Sequence, residues 1–164
     1  MAEALPESVA RVARFLAEAE AEARLQEFPA GTPTAEDAAL AIGCQVDQIV
    51  KSILLDCEGM SVLVLVPGSR RADTEKVAQA MGRRAARVAS PAAVREATGF
   101  EVGGVAPFPL TDVRAVLADQ SLLAWEVVWI GAGSDRHMAG LAPAELIRLT
   151  RARTLDLCAD RPDS

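Results

Sequence analysis

Lysine is nearly missing from this chain: of its 17 basic residues only Lys51 and Lys76 are lysines, the rest being arginine. Histidine is scarcer still, and with His137 standing alone, any triad or metal site built on several imidazoles is excluded by counting. The three cysteines, Cys44, Cys57 and Cys158, are odd in number and form no Cys-x-x-Cys pair. That removes a disulfide framework and a zinc site and leaves free, buried thiols as the reading. No apolar run approaches the roughly 20 residues that span a bilayer. The first residues, Met1-Ala-Glu-Ala-Leu-Pro-Glu, carry acids where a secretory signal has a basic region. These absences lead to the expectation of a cytoplasmic protein that makes no use of membranes.

Several motifs are missing too. There is no Gly-x-x-x-x-Gly-Lys-Ser/Thr phosphate loop, no His-Glu-x-x-His and no Gly-x-Ser-x-Gly elbow. The run Val127-Val-Trp-Ile-Gly131-Ala-Gly133-Ser134 resembles the glycine turn of a dinucleotide site, but Arg136 stands where the third glycine is required. A formal charge of -6 argues against wrapping duplex nucleic acid, which calls for a basic face, and leaves contact with a single-stranded end open. Arg70, Arg71, Lys76, Arg83, Arg84 and Arg87 do outnumber the acids of their stretch. A solvated helix face is the plain reading of that stretch and a local basic patch the functional one.

Against this background Lys51 stands out. It interrupts an apolar run, Ile49-Val50-Lys51-Ser52-Ile53-Leu54-Leu55, in a chain that fills exposed cationic positions with arginine. Lysine offers a compact charge whose protonation responds to burial, whereas arginine offers a rigid and permanent fork. The choice points to an active site or an anion-binding cleft.

At 164 residues the chain fits one domain, 1–164, with no linker or repeat dividing it. Apolar spacing from Pro6 predicts a helix over 6–26. Thr34 caps a second helix that Gly43 ends. Strands over 49–56 and 60–66 meet at Glu58-Gly59 as a hairpin. Asp73 starts a helix running to Met81, 84–89 reads as a short strand, and Ser90-Pro91 opens a helix toward Gly99. The segment 103–109 is too rich in glycine and proline for a regular element; strands near 113–118 and 125–130 and a last helix from Pro143 follow. Helices and strands alternate without a strict βαβ period, which favours an α+β fold with a mixed sheet and flanking helices over a doubly wound one. Gly103 and Gly104 read either as turn formers or as a place where a substrate lies against backbone amides that stabilise an oxyanion. His137, after the Gly131-Ala-Gly-Ser loop, reads as structural or as a group reaching a ligand from a strand end.

In order, the chain carries Thr34-Ala-Glu-Asp-Ala-Ala, Gln48-Ile-Val-Lys51-Ser, Val66-Pro-Gly, Thr98-Gly99, Gly103-Gly-Val-Ala-Pro107-Phe, Gly131-Ala-Gly and Leu141-Ala-Pro-Ala-Glu-Leu. Over about residues 30–150 this series resembles the YbaK family, free-standing relatives of the editing domain inserted in bacterial prolyl-tRNA synthetases. The resemblance implies a mostly antiparallel, curved sheet or barrel. It further implies hydrolysis of the ester that joins a wrong, small amino acid to the 3′ end of a tRNA, most often tRNA-Pro. Lys51 is then central to substrate handling, either anchoring the terminal phosphate, the preferred role, or polarising the ester carbonyl, and Gly103 and Gly104 line the acyl pocket. Water attacks with help from backbone amides and a ribose hydroxyl, with no metal, cofactor or covalent intermediate.

The latter suits a sequence whose spacing offers no Ser–His or Cys–His pair placed to make a nucleophile. Thr32, Thr34, Val105, Pro107, Phe108, Asp119, Gly131, Gly133, Ser134 and His137 complete the expected substrate site, although Thr34 also reads as a helix cap and Asp119 as a strand end. Substrate preference is expected in the loop 133–137. Pro109 replaces the family's glycine and stiffens the pocket wall. Expected partners are the mischarged tRNA 3′ end and a synthetase, with neither duplex DNA nor membrane; monomer and homodimer both remain open. The alternative is a non-catalytic module that holds an RNA 3′ end, a nucleotide or a protein in the same cleft.

Overall fold

The computed structural model describes residues 4–160. Helix α1 (Glu7–Glu18) buries Val9, Val12 and Leu16 along one stripe. It ends well short of residue 26, because residues 23–27 are strand β1 (Ala23–Glu27). Helix propensities separate such residues by only a few tenths of a kcal/mol each. Five backbone partners from Ala23↔Leu141 to Glu27↔His137 outweigh that preference. Helix α2 (Ala35–Ile42) has Thr34 as its N-cap, accepting the Asp37 amide, and left-handed Gly43 as its stop.

After a 3-10 turn at Val46–Gln48, strands β2 (Val50–Cys57) and β3 (Met60–Pro67) pair antiparallel from Val50↔Pro67 to Cys57↔Met60. Asp73 caps α3 (Thr74–Ala80). The strand expected over 84–89 shrinks to β4 (Arg87–Val88), since it pairs with β2 only at Asp56 and Leu55. Ser90 caps α4 (Pro91–Thr98) and Gly99 ends it. Strands β5 (Ala115–Asp119), β6 (Val128–Ser134) and β7 (His137–Leu141), helix α5 (Pro143–Thr150) and strand β8 (Arg153–Leu155) complete the order. The expected loop at 131–134 is thus strand, held by pairing with β7, and β7 and β8 carry no sequence pattern that announced them.

The strands make two sheets, β1-β7-β6 and β4-β2-β3-β5-β8, rather than a closed barrel among the described residues. The first is antiparallel; the second is mixed, with β3–β5 and β5–β8 parallel. Between the sheets lies the largest core cluster, where Leu63 and Leu65 of β3 join Val128 and Ile130 of β6, with Val12, Val94 and Phe100 alongside. The opposite face of β3 presents Val62, Val64 and Val66 to Val77 of α3 and to Leu157. Burial on both faces explains why β3 reads as a continuous apolar run. A third, smaller cluster under α2 holds Phe28, Ala38, Ile49, Trp129 and Met138. No helix among the described residues is long and apolar enough to cross a membrane.

Candidate active site

β3 accompanies β2 along its whole length, but β4 joins only at Leu55 and Asp56. Residues 50–53 therefore leave an open edge, and a cleft of about 630 Å³ runs along it. That size suits a small organic ligand. Its other walls are the start of α2 with Thr32 and Thr34, the segment at Val102, Gly103 and Val105, and the β6–β7 hairpin with Gly131, Ser134 and His137. Side chains alternate across a strand. Lys51 is thus on the face of Ile53 and Leu55, and Ser52 on that of Val50 and Leu54, yet both line the cleft because it follows the strand's edge.

Lys51 is half-buried, and its Nζ donates to the carbonyl of Arg70. Burial pulls its pKa below the ordinary lysine value; Glu36 and Asp47 pull it back up, and Arg71 opposes them. An ammonium has three protons, so two remain for a ligand. Lys76, by contrast, is bound to Asp156 at 3.0 Å and to the carbonyl of Cys158 at 2.7 Å, tying down the C-terminal segment.

Gly103 has φ +94°, and a Cβ there would meet nothing within 4 Å. Gly104 differs: its amide donates to the Glu101 carbonyl at 3.0 Å, and a Cβ would come within 2.9 Å of the Ser134 Cα. Its lack of a side chain lets the 103–107 segment close against β6. Gly131 serves the same contact, since a Cβ there would lie 2.6 Å from the Val105 carbonyl.

The β6–β7 turn forms the far wall. Thr32 donates from both its amide and its hydroxyl to the Asp135 carbonyl, at 2.9 and 3.2 Å. The Thr34 hydroxyl is engaged with Asp37 at 2.8 Å. Antiparallel register sets Ser134 opposite His137, leaving Ser134 Oγ 2.7 Å from His137 Nδ1. Chain spacing offered no Ser–His pair; the hairpin creates one.

Other expected site residues stand outside the cleft. Phe108 is buried in the main core with its ring stacked on Phe15 at 4.7 Å, Pro107 is buried beside it, and Pro109, expected as a wall of the site, does not line this cleft either. Gly133 packs on α1, where a Cβ would come within 2.6 Å of the Ser8 carbonyl. Asp119 is only 3% exposed and, at the C-terminal end of β5, accepts from Ser121 and Leu157 instead of lining the cleft. Of the glycine- and proline-rich segment, Gly103 and Val105 line the cleft while Pro107 and Phe108 do not, because burial depth within it is a property of packing.

Two features went unread. Ser52 has a buried hydroxyl oxygen without a hydrogen-bond partner beside the cleft; a polar residue in an apolar strand was its only signal. Glu27 stands 3.5 Å from His137 Nε2, and its place in a segment that reads as helix hid it. The cysteines are free, and burial together with Asp119 pushes the Cys158 thiol up to about 12, which keeps it protonated. Among the described residues no group of three His, Cys, Asp or Glu side chains gathers to hold a metal.

The aminoacyl-tRNA editing domain family matches residues 29–149 of the chain. YwhH, an uncharacterized protein of Bacillus subtilis (strain 168), is 36% identical over 136 residues, a match covering 82% of this chain and 86% of that one. The proline–tRNA ligase of Nitratidesulfovibrio vulgaris (strain DP4) is 32% identical over 143 residues, which is 85% of this chain but only 24% of the ligase. Among solved structures, a candidate trans-editing enzyme for prolyl tRNA synthetase superposes with a TM-score of 0.88 at 37% identity, covering 96% of this chain and 100% of its own. The hypothetical protein APE2540 follows with a TM-score of 0.84 at 28% identity, covering 91% and 99%.

Proposed function

The chain belongs to the aminoacyl-tRNA editing domain family, and from that membership and the contents of the cleft we propose that it is a trans-acting deacylase of mischarged tRNA. The observation that carries the reading is that Lys51 and Gly103 open onto one cleft. In this reading the Lys51 ammonium grips a phosphate of the terminal nucleotide, with the two protons that Arg70 leaves over. The acyl group lies across the side-chain-free surface at Gly103.

Water adds to the ester carbonyl, and backbone amides stabilise the oxyanion. The carbon–oxygen bond to the ribose then breaks, and the ribose oxygen takes up a proton. An aminoacyl ester is already activated, so positioning carries much of the rate, and one lost oxyanion donor costs on the order of 10² to 10³. A cleft with largely apolar walls excludes a large ring sterically but separates equally small side chains poorly. The proposed substrates are therefore a set: tRNA-Pro carrying Ala, Cys, Ser, Thr or 2-aminobutyrate.

The test is a panel of tRNA-Pro charged with each of these amino acids and with proline. The wild type is expected to release the small residues and spare proline, and Lys51→Ala to lose at least about 10² in kcat/KM with its fold retained. Full activity in that variant would sink the mechanism. Saturable binding of the charged end without turnover of any ester would make the protein a binding module instead.

A further inference from the structure

Glu27, His137 and Ser134 form a line of contacts that the proposed hydrolysis leaves unused. Strand pairing sets Glu27 opposite His137 across β1–β7 and His137 opposite Ser134 across β7–β6. The line starts at a carboxylate that is 58% exposed, passes through an imidazole that is 5% exposed and ends in the cleft wall. What it does follows from counting protons.

The Ser134 hydroxyl has one proton and two lone pairs. One lone pair accepts the amide of Arg136 at 3.0 Å. The other groups depend on the imidazole 2.7 Å away. If the ring proton is on Nε2, then Nδ1 is an acceptor and takes the hydroxyl proton, and Ser134 shows the cleft a lone pair. If the ring proton is on Nδ1, Ser134 accepts twice and turns its own proton outward. The neighbour of the second ring nitrogen decides between the two tautomers. Here it is the Glu27 carboxylate, 3.5 Å from Nε2. That is long for a hydrogen bond, yet in a buried ring an N–H pointing at a carboxylate is attracted and a lone pair is repelled.

We infer that Glu27 is a positioning residue that keeps the His137 proton on Nε2, so that Ser134 offers the cleft a hydrogen-bond acceptor, and that this acceptor receives the free α-ammonium group of the aminoacyl ester. The second half rests on the deacylase reading. A cation is the favoured donor because the acceptor is backed by the carboxylate of Glu27. An ester whose amino group is acylated has lost that charge and gained bulk, so the site selects α-amino esters over N-acylated ones.

His137 is the sole histidine, so a long-range ¹H–¹⁵N spectrum of the labelled protein reads its tautomer without assignment. The expected result is the Nε2–H form in the wild type and a shift toward Nδ1–H in Glu27→Ala. An Nδ1–H wild type would overturn the inference.

The second arm compares hydrolysis of alanyl-tRNA-Pro with its N-acetylated form. The wild type should prefer the free amine by about tenfold or more, and Ser134→Ala should narrow the ratio. Ser134→Thr, which restores a hydroxyl, should recover it. Thermal unfolding of each variant separates misfolding from lost recognition. An unchanged ratio in Ser134→Ala overturns the ammonium assignment, and one that changes only with a 2′-deoxy substrate moves the contact to the ribose. A wild type that cleaves neither ester fells the deacylase reading and the ammonium assignment together, while the spectrum still decides the tautomer.

Discussion

The carboxylate of Asp119, at the end of β5, accepts the backbone amide of Leu157 at 2.8 Å across 38 residues of sequence. Its second oxygen accepts the amide of Ser121 at 3.1 Å and the Ser121 hydroxyl. Burial pushes this carboxyl's pKa up, but the hydrogen bonds from Ser121 and Leu157 together hold it below the usual aspartate value. The residue therefore fastens β5 to the segment after β8.

A stability consequence follows with a definite sign. Because the folded pKa is depressed, the unfolded chain binds more protons between the folded value and about pH 4, and stability rises with pH there. The contribution is present above the unfolded pKa and is lost as pH falls through the folded one. Asp119→Asn keeps one acceptor oxygen but turns an NH₂ donor against the donors that the other oxygen accepts, and should cost about 1–3 kcal/mol at neutral pH. The deficit relative to wild type should shrink as urea unfolding is repeated at falling pH. A deficit that stays constant would contradict the account.

Lys51 gives the opposite limb. Its folded pKa is lowered by burial, so between that value and the ordinary lysine value the unfolded chain again holds the extra proton, and wild-type stability rises with pH. Lys51→Met has no such group. Denaturant curves from about pH 8 to 11 should show the wild type gaining on the variant as pH rises. Parallel curves would mean that the ammonium is not desolvated.

Gly131→Ala forces a Cβ to 2.6 Å from the Val105 carbonyl. Backbone must move, at about 1–3 kcal/mol, and the displaced segment is the one carrying Gly103. Both stability and deacylation should fall. Gly82, with φ +68° and nothing within 4 Å of its Cβ position, is the control. Gly82→Ala should cost only the left-handed penalty of about 1–2 kcal/mol and leave turnover alone.

Recognition of an end, rather than of a duplex, predicts a gentle salt dependence. Each phosphate gripped on a single strand contributes roughly 0.7 to the slope of log K against log salt. Binding of a charged tRNA 3′-end analogue should therefore show a slope below about 2, falling by about 0.7 in Lys51→Ala. A slope near that of duplex-binding proteins would mean that the arginines of 70–87 form an extended RNA surface.

Much of this was legible in the chain because its signals act over a few residues. Thr34, Asp73 and Ser90 each accept amides within three positions. Glu58-Gly59 turns the β2–β3 hairpin, and Lys51 betrayed itself as a charge within an apolar strand. What stayed hidden depends on partners far away in sequence. The segment 23–27 has helix-forming residues but is drawn into a sheet by β7. Phe108 was read with the glycines next to it, yet its ring is claimed by Phe15.

The sequence by itself settled the element types with strong local signatures, the cation at 51 and the glycine-rich segment that faces it across the cleft. Tertiary structure alone decided that β2 keeps an open edge there, that Gly104 and Gly131 serve backbone contact, and that Glu27, His137 and Ser134 form a line. The physical reason is range: caps and turns are satisfied by neighbours along the chain, whereas sheet register and burial are set by backbone groups and apolar surfaces that meet only once the whole chain has closed on itself.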